Sequence, residues 1–391
     1  MKSLLPSQAK HVTSNPLIEE LRTEATNVKS GSKNVEEITK LWEKTASLMR
    51  KKNADARRKR AEDNEAHNDD LFNSDEISYA ELKDLEAEFK DKESKLKAQE
   101  DQDEVKSYVE TVFDKVYNDL QADIAALTDL YIEAETLLQT SVSGTKSLGG
   151  GDATTTKACL ELLVEVHEQI EKTHEQIVQA VAERDKRYKK TEIQPLYTAG
   201  NKAKLKSVEK HFEEAEKQAI HRAKNEKAER MSELHKVAED AVVGAASIEQ
   251  NERSRIIAAV RDLKEGDNTD ILKRASETLN LLYESSKSLL TIFNRLEIDL
   301  NTAEVEADIA QARVDGAPES KVEELQSGMN ARETELKEEF ARRIGVLEQD
   351  REESERLIQD KDGKVETSDE QEKEKRLKAA LEEAKRRNGH A

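Results

Sequence analysis

The sequence predicts an all-α protein, built as an elongated antiparallel helical bundle or coiled coil. Three observations favour this fold. Charged residues make up 38% of the 391 residues and aromatic residues only 4%, so the chain lacks the large apolar side chains of a thick globular core. Only 4 prolines and 13 glycines are present to interrupt helices. From about residue 104 to 315, apolar residues recur every three or four positions, which is the period of amphipathic helices.

The most regular stripe lies between Leu272 and Val314, where small and apolar residues alternate at steps of three and four. A period of 3.5 residues keeps one stripe of a helix against a neighbouring helix, and this one would be about 63 Å long. We expect the stripe to organise the fold and to act as a self-association seam. The seam consists of Leu272, Leu279, Leu282, Leu289, Phe293, Leu296, Leu300, Ala303, Ala307 and Ala310.

Residues 1–76 are predicted to form a basic segment with short helices, partly flexible. Residues 1–60 contain 14 Lys or Arg and 7 Asp or Glu, whereas the whole chain has a net charge of −20. Polar residues at 63–76 predict a loop or hinge. Two basic clusters could contact an anionic surface or an import factor, with a solvated basic face as the alternative. These clusters are formed by Arg50, Lys51, Lys52, Arg57, Arg58, Lys59 and Arg60.

Residues 77–316 are predicted to form the bundle. A first helix should end near residue 140, with a break near Asp101–Asp103. Further helices are expected at 155–192, 201–264 and 271–315. Short connections between these helices predict that consecutive helices run antiparallel.

Turn-forming residues mark the connections of the predicted bundle. The stretch Ser141–Thr156 is rich in Ser, Thr and Gly and predicts a flexible turn. Its Gly144-Thr145-Lys146-Ser147 lacks the preceding strand and the glycine spacing of a phosphate-binding loop. Pro195 and Gly200 predict the next break, and Gly244 is expected to permit a bend within its helix.

Residues 317–391 are predicted to form a charged helix and a mobile tail. Gly316 and Pro318 are typical stop signals before this helix, which should cover about 319–358. The stretch Asp360–Asp369 is expected to break it, leaving a terminal helix with little apolar surface to bury.

The residues that usually carry chemistry form no catalytic pattern. His167 and His174 lie two turns apart, about 10.5 Å along a helix, which is too far for one metal ion. We expect them to be polar interruptions of a packing stripe, with pH sensing as the alternative. Cys159 stands among leucines and is predicted to be a core residue. We therefore expect no enzyme activity, no cofactor and no small-molecule substrate. A ligand-binding bundle would require a concave pocket with converging polar groups.

These features predict a non-enzymatic structural or adaptor protein that acts through coiled-coil self-association, as a homodimer or larger homo-oligomer, and through partner helices. The alternative is a BAR-like membrane-curvature or membrane-surface module that uses the basic N-terminal segment. The acidic body opposes membrane contact and disfavours nucleic acid as a partner.

The expected compartment is the cytoplasm, with the nucleus as the alternative. A single cysteine fits a reducing compartment. No apolar run approaches the roughly 20 residues that span a bilayer, and residues 1–16 lack the apolar core of a secretory signal.

Overall fold

The structure is a computed structural model that describes residues 16–31, 34–74, 76–142, 153–198, 200–263 and 268–388. Within these ranges it leaves out the side chains of residues 29–31, 34–38, 153–154, 194–195, 197–198 and 362–388. Residues 1–15 of the predicted basic segment and most of the predicted turn at Ser141–Thr156 lie outside the described residues.

The described chain is helical almost throughout, which confirms the predicted all-α helical bundle. Its α-helices are α1 Pro16–Gly31, α2 Asn34–Asn73, α3 Tyr79–Tyr108, α4 Asp114–Val142, α5 Ala153–Thr198, α6 Lys202–Arg261, α7 Thr269–Val314 and α8 Glu319–Asn388. One π-helical turn, Val109–Phe113, joins α3 to α4. No β-strand is present within the described ranges.

Long helices that a turn or loop connects run antiparallel, as their contacts demonstrate. Lys224 on α6 pairs with Glu306 near the end of α7. His235, later on α6, packs its ring against Phe293, which comes earlier on α7. The same reversal relates α4 to α5, α5 to α6 and α7 to α8. Because these connections are short, each helix packs beside the preceding one and runs in the opposite direction.

The first half of α5 is the centre of the bundle. Leu160, Leu162, Leu163 and Val166 are completely buried, at 0% exposure, although they project from different sides of the helix. A helix that is apolar on all sides must be surrounded by other helices. Here α1, α4, α6 and α7 pack around it. Helix α7, which the sequence predicts to organise the fold, packs against α5, α6 and α8 and contributes to two of the apolar clusters.

Two helices are longer than the sequence predicts. Helix α2 has 40 residues and continues to Asn73 through most of the predicted loop. Its Arg57 and Arg60 pair with glutamates of α3 just before this stretch, and Asn68 within the stretch is buried. Helix α8 continues to Asn388 through the predicted break at 360–369. No proline follows Pro318 in the chain, and a lone glycine is tolerated within a helix.

Other helix ends and irregularities also differ from the predictions. Helix α5 passes Pro195 and ends at Thr198, and Gly200 reverses the chain with a left-handed φ of 67°. Gly316, with φ of 69°, follows the end of α7 as predicted. The break expected near Asp101–Asp103 is absent, and the helix instead widens into the π-helical turn. This wider turn places the neighbouring residues Val112 and Phe113 in the same buried cluster.

Candidate binding surfaces

The seam predicted on α7 lies inside the bundle. Eight of its ten residues are buried, and Leu282 and Leu300 are half-buried against the same apolar clusters. The partners of α7 are α5, α6 and α8 of the same chain. A second copy can meet this stripe only if the chain exchanges these contacts for equivalent contacts between copies. Self-association through the seam stays a prediction.

The predicted basic residues lie on two faces of α2. Three arginines on the inner face each pair with a glutamate of α3: Arg50 with Glu104, Arg57 with Glu100 and Arg60 with Glu93. Hydrogen bonds from Arg60 lower the pKa of Glu93, and the same bonds raise the pKa of Arg60. These three arginines join α2 to α3, and their predicted contact with an anionic surface stays a prediction.

The remaining basic residues point to solvent. Arg58 pairs with Asp55 and Glu62 along its own helix. Six exposed residues form what we call the outer face of α2: Leu41, Lys44, Leu48, Lys51, Lys52 and Lys59. Among the residues that the structure describes, none of these four lysines takes part in an ion pair.

The outer face of α2 also exposes large apolar side chains. Leu41 and Leu48 are 68% and 70% exposed. They are seven residues apart, so they lie on one line of the helix about 10.5 Å apart. A partner that covers them would remove apolar surface from water while its acidic groups meet the lysines. Leu48 is not among the residues predicted above, although its spacing from Leu41 and the flanking lysines are visible in the sequence.

An aromatic and cationic cluster anchors the start of α2. Trp42 is 5% exposed, and its ring meets Tyr108 edge-on at 5.0 Å between centroids. The guanidinium of Arg187 lies 4.7 Å from the Trp42 centroid and 4.1 Å from the Tyr108 centroid. Arg187 also pairs with Glu43 and Glu183. No local pattern identifies this cluster, because its members come from three helices that are distant in the sequence.

A groove of about 650 Å³ lies between α4 and α6. Its apolar side chains are Tyr131, Leu138, Val142, Val237 and Ala241. Its polar side chains are Glu135, Gln139, Glu233, Lys236 and Asp240. The groove is therefore apolar inside, with an excess of carboxylates at its edges. The sequence does not reveal this groove, because it forms between two helices that are distant in the chain.

Helices α4 and α6 approach closely beside this groove. A Cβ atom placed on Gly244 of α6 would overlap Cγ1 of Val142 at the end of α4. The predicted bend is therefore not needed to explain Gly244, whose missing side chain makes room for Val142. The contact is a feature of the tertiary structure and has no signature in the sequence.

Replacing Gly244 with alanine is expected to destabilise the protein. Alanine favours a helix by up to about 1 kcal/mol over glycine, but overpacking costs about 1–3 kcal/mol. The free energy of unfolding from urea titration should therefore fall, and Val142→Ala in the same chain should restore much of it. Gly328→Ala is the control, because that helical glycine has open space around it. Stabilisation by both alanine substitutions would contradict the proposed close approach.

His167 is a buried polar side chain beside α4 and α6. It is 4% exposed, and its Nε2 has no hydrogen-bond partner and lies 3.9 Å from Oε1 of Glu171. Glu171 accepts hydrogen bonds of 2.6 and 3.3 Å from Arg230 on α6. Burial lowers the pKa of His167, although the negative charge of Glu171 acts in the opposite direction. Burial also lowers the pKa of His174. The predicted position within a packing interface is thus observed for His167.

The free energy of unfolding is expected to fall as pH decreases from 7.5 to 5.5, partly because of His167. Below the ordinary histidine pKa of about 6.5, the unfolded chain binds a proton that the folded chain does not. Glu168 and Glu171 on α5 and Arg230 and Lys227 on α6 also act on this imidazole. Urea titrations at both pH values measure this change. Between pH 7.5 and 5.5, His167→Leu should lose less free energy of unfolding than the wild type.

The exposed His211 provides the control for this experiment. The variant His211→Gln should lose as much free energy of unfolding as the wild type. An unchanged pH dependence in His167→Leu would contradict the inference that the folded bundle holds this histidine neutral.

Cys159 is 1% exposed, as the sequence predicts for a core residue, and burial raises its pKa to about 11. Its thiol is therefore protonated at neutral pH and a poor nucleophile. Across the described ranges, no three or more His, Cys, Asp or Glu side chains form a group suited to a metal ion. The described helices also include none with the length and apolarity to span a membrane.

The fold and these surfaces define the class of protein: an all-α helical bundle with a basic, partly apolar helix face and a separate acidic groove. No protein-family model matches the chain, and comparison with curated proteins gives no match.

Proposed function

We propose that this protein is a non-enzymatic structural or adaptor protein that acts by helix-on-helix association. The observation that supports this most is the outer face of α2, where two exposed leucines on one line are flanked by lysines without ion pairs. The opposite face of the same helix is fixed to the body by Trp42 and the three arginines. A partner helix with apolar and acidic side chains fits such a face.

The lengths of the helices also support a structural role. Helix α6 has 60 residues, which corresponds to about 90 Å at 1.5 Å per residue. Rods of this length separate binding surfaces that lie at different points along the bundle. We propose that the protein forms homo-oligomers in the cytoplasm and that it also binds partner helices.

Sedimentation velocity over a wide range of protein concentrations tests this function. We expect a concentration-dependent larger species, with crosslinks between copies in a mixture of isotopically light and heavy protein. The light–heavy pairs separate contacts between copies from contacts within one copy. A chain that stays monomeric at every concentration would contradict self-association.

A second candidate function is binding to an anionic membrane surface. Lysines around exposed leucines resemble helices that lie in the membrane interface, and each lysine near an anionic leaflet contributes about 1 kcal/mol. The acidic body opposes this binding, although charges beyond about 8 Å are largely screened at physiological salt. Co-sedimentation with phosphatidylserine vesicles tests it, and Lys51→Glu with Lys52→Glu should abolish binding. Arg57 is unsuitable for this purpose because it pairs with Glu100.

A further inference from the structure

We propose that the outer face of α2 from one copy docks into the α4–α6 groove of another copy. This inference rests on the self-association proposed above and names the two surfaces that meet. The two surfaces belong to separate helices, and both are open in the single chain. The two surfaces are complementary. The outer face of α2 exposes leucines and lysines, and the groove has an apolar interior with carboxylates at its edges.

The apolar part of the groove is long enough for the two leucines of α2. Leu41 and Leu48 are seven residues apart, which places their side chains about 10.5 Å apart along α2. In the groove, the half-buried Tyr131 and Val142 lie about 16.5 Å apart along α4, and Val237 of α6 is half-buried in the same lining. The leucines would contact these three side chains, because Leu138 and Ala241 are already buried within the chain.

The charges repeat with the same period. Lys44 and Lys51 are seven residues apart on α2, and Glu233 and Asp240 are seven residues apart on α6. All four side chains are exposed, and none of them forms an ion pair among the described residues. When the leucines occupy the groove, both lysines can approach both carboxylates in one register. This charge complementarity argues for a second copy as the occupant.

The groove has further acidic character. Glu135 on α4 faces the same space, and Lys236 is the single basic side chain among the described lining residues. Burial raises the pKa of Tyr131, and Glu135 and Glu233 raise it further, because they disfavour another negative charge beside them. A basic helix would relieve this concentration of negative charge.

The contact joins two different surfaces of the same chain. It can therefore occur twice in a two-fold dimer, close into a ring, or extend into a filament. Two leucines and a few ion pairs form a small interface compared with the 1,200–2,000 Å² typical of stable complexes. We expect association to be weak and to decrease with salt, unless two such contacts form in one dimer.

Charge reversal on the full-length chain tests the proposal. One variant carries Lys44→Glu with Lys51→Glu, and the other carries Glu233→Lys with Asp240→Lys. Each variant alone should associate at least tenfold more weakly than the wild type in sedimentation velocity, because like charges then meet. An equimolar mixture of the two should associate again, because the reversed α2 of one fits the reversed groove of the other.

Lys90→Glu with Lys97→Glu is the matched control. These exposed lysines are also seven residues apart, but they lie on α3, so their reversal should leave association unchanged. Far-UV circular dichroism and the fluorescence of Trp42 verify that each variant folds.

The possible results separate this inference from the broader function. Association that neither reversal weakens, or that the mixture does not restore, would overturn the docking contact and leave self-association intact. A monomeric wild type would overturn both. Binding to phosphatidylserine vesicles that only the α2 reversal abolishes, without self-association, would overturn the docking contact in favour of a membrane surface.

Discussion

Replacing Leu163 with alanine is expected to lower the free energy of unfolding by about 3–5 kcal/mol. Leu163 is completely buried in the part of α5 that α1, α4, α6 and α7 surround. Four separate helices would have to move together to fill the space left by its side chain. The cavity should therefore remain, and its lining atoms lose their contacts. Urea titration followed by far-UV circular dichroism measures the loss.

Leu281→Ala is the matched control for Leu163→Ala. Leu281 lies on α7 and is 52% exposed, so its truncation should change the free energy of unfolding by no more than about 0.5 kcal/mol. Similar losses for the two variants would contradict the central position of α5 in the bundle.

Replacing Trp42 with alanine is expected to release α2 from the body of the protein. Removing a buried tryptophan costs about 3–5 kcal/mol, and it also removes one of the two rings that flank Arg187. Nε of Arg187 already lacks a hydrogen-bond partner, so without Trp42 the half-buried guanidinium would depend on the Tyr108 ring and on its ion pairs with Glu43 and Glu183. Hydrogen exchange of the α2 amides should accelerate much more than exchange in the first half of α5.

The conservative variant Trp42→Phe distinguishes the anchor from a general loss of stability. Phenylalanine keeps an aromatic face for Arg187, so exchange in α2 should be closer to that of the wild type. Leu41→Ala, at the exposed neighbouring position, should leave exchange unchanged. Equal acceleration throughout the chain in Trp42→Ala would show that Trp42 supports the whole fold and does not anchor α2 specifically.

Much of the fold could be predicted from the sequence, because a narrow apolar stripe with helical period must lie against another helix wherever it occurs. The stripe on α7 and the amphipathic part of α4 illustrate this, since both are buried as their spacing predicts. Antiparallel order followed from short connections. The length of α2 could not be predicted, because its polar second half is supported by glutamates on α3 that local propensity does not take into account.

The candidate surfaces could be predicted only in part. The basic clusters on α2 were visible, but the sequence does not tell which of their members face α3. Arg57 and Lys51 look alike in the sequence, yet Arg57 pairs with Glu100 and Lys51 faces solvent. The α4–α6 groove was not predictable, because its two walls are separated by about a hundred residues of chain.

By itself, the sequence determined the class of this protein: long amphipathic helices, antiparallel neighbours, an acidic body and a basic segment near the beginning. Only the tertiary structure decided that α5 forms the centre, that the α7 stripe is covered within the chain, and that one face of α2 remains open. The period of the apolar residues shows which side of a helix must be buried. Which helix buries it depends on how all the helices pack together, because the apolar surface available in the chain is limited.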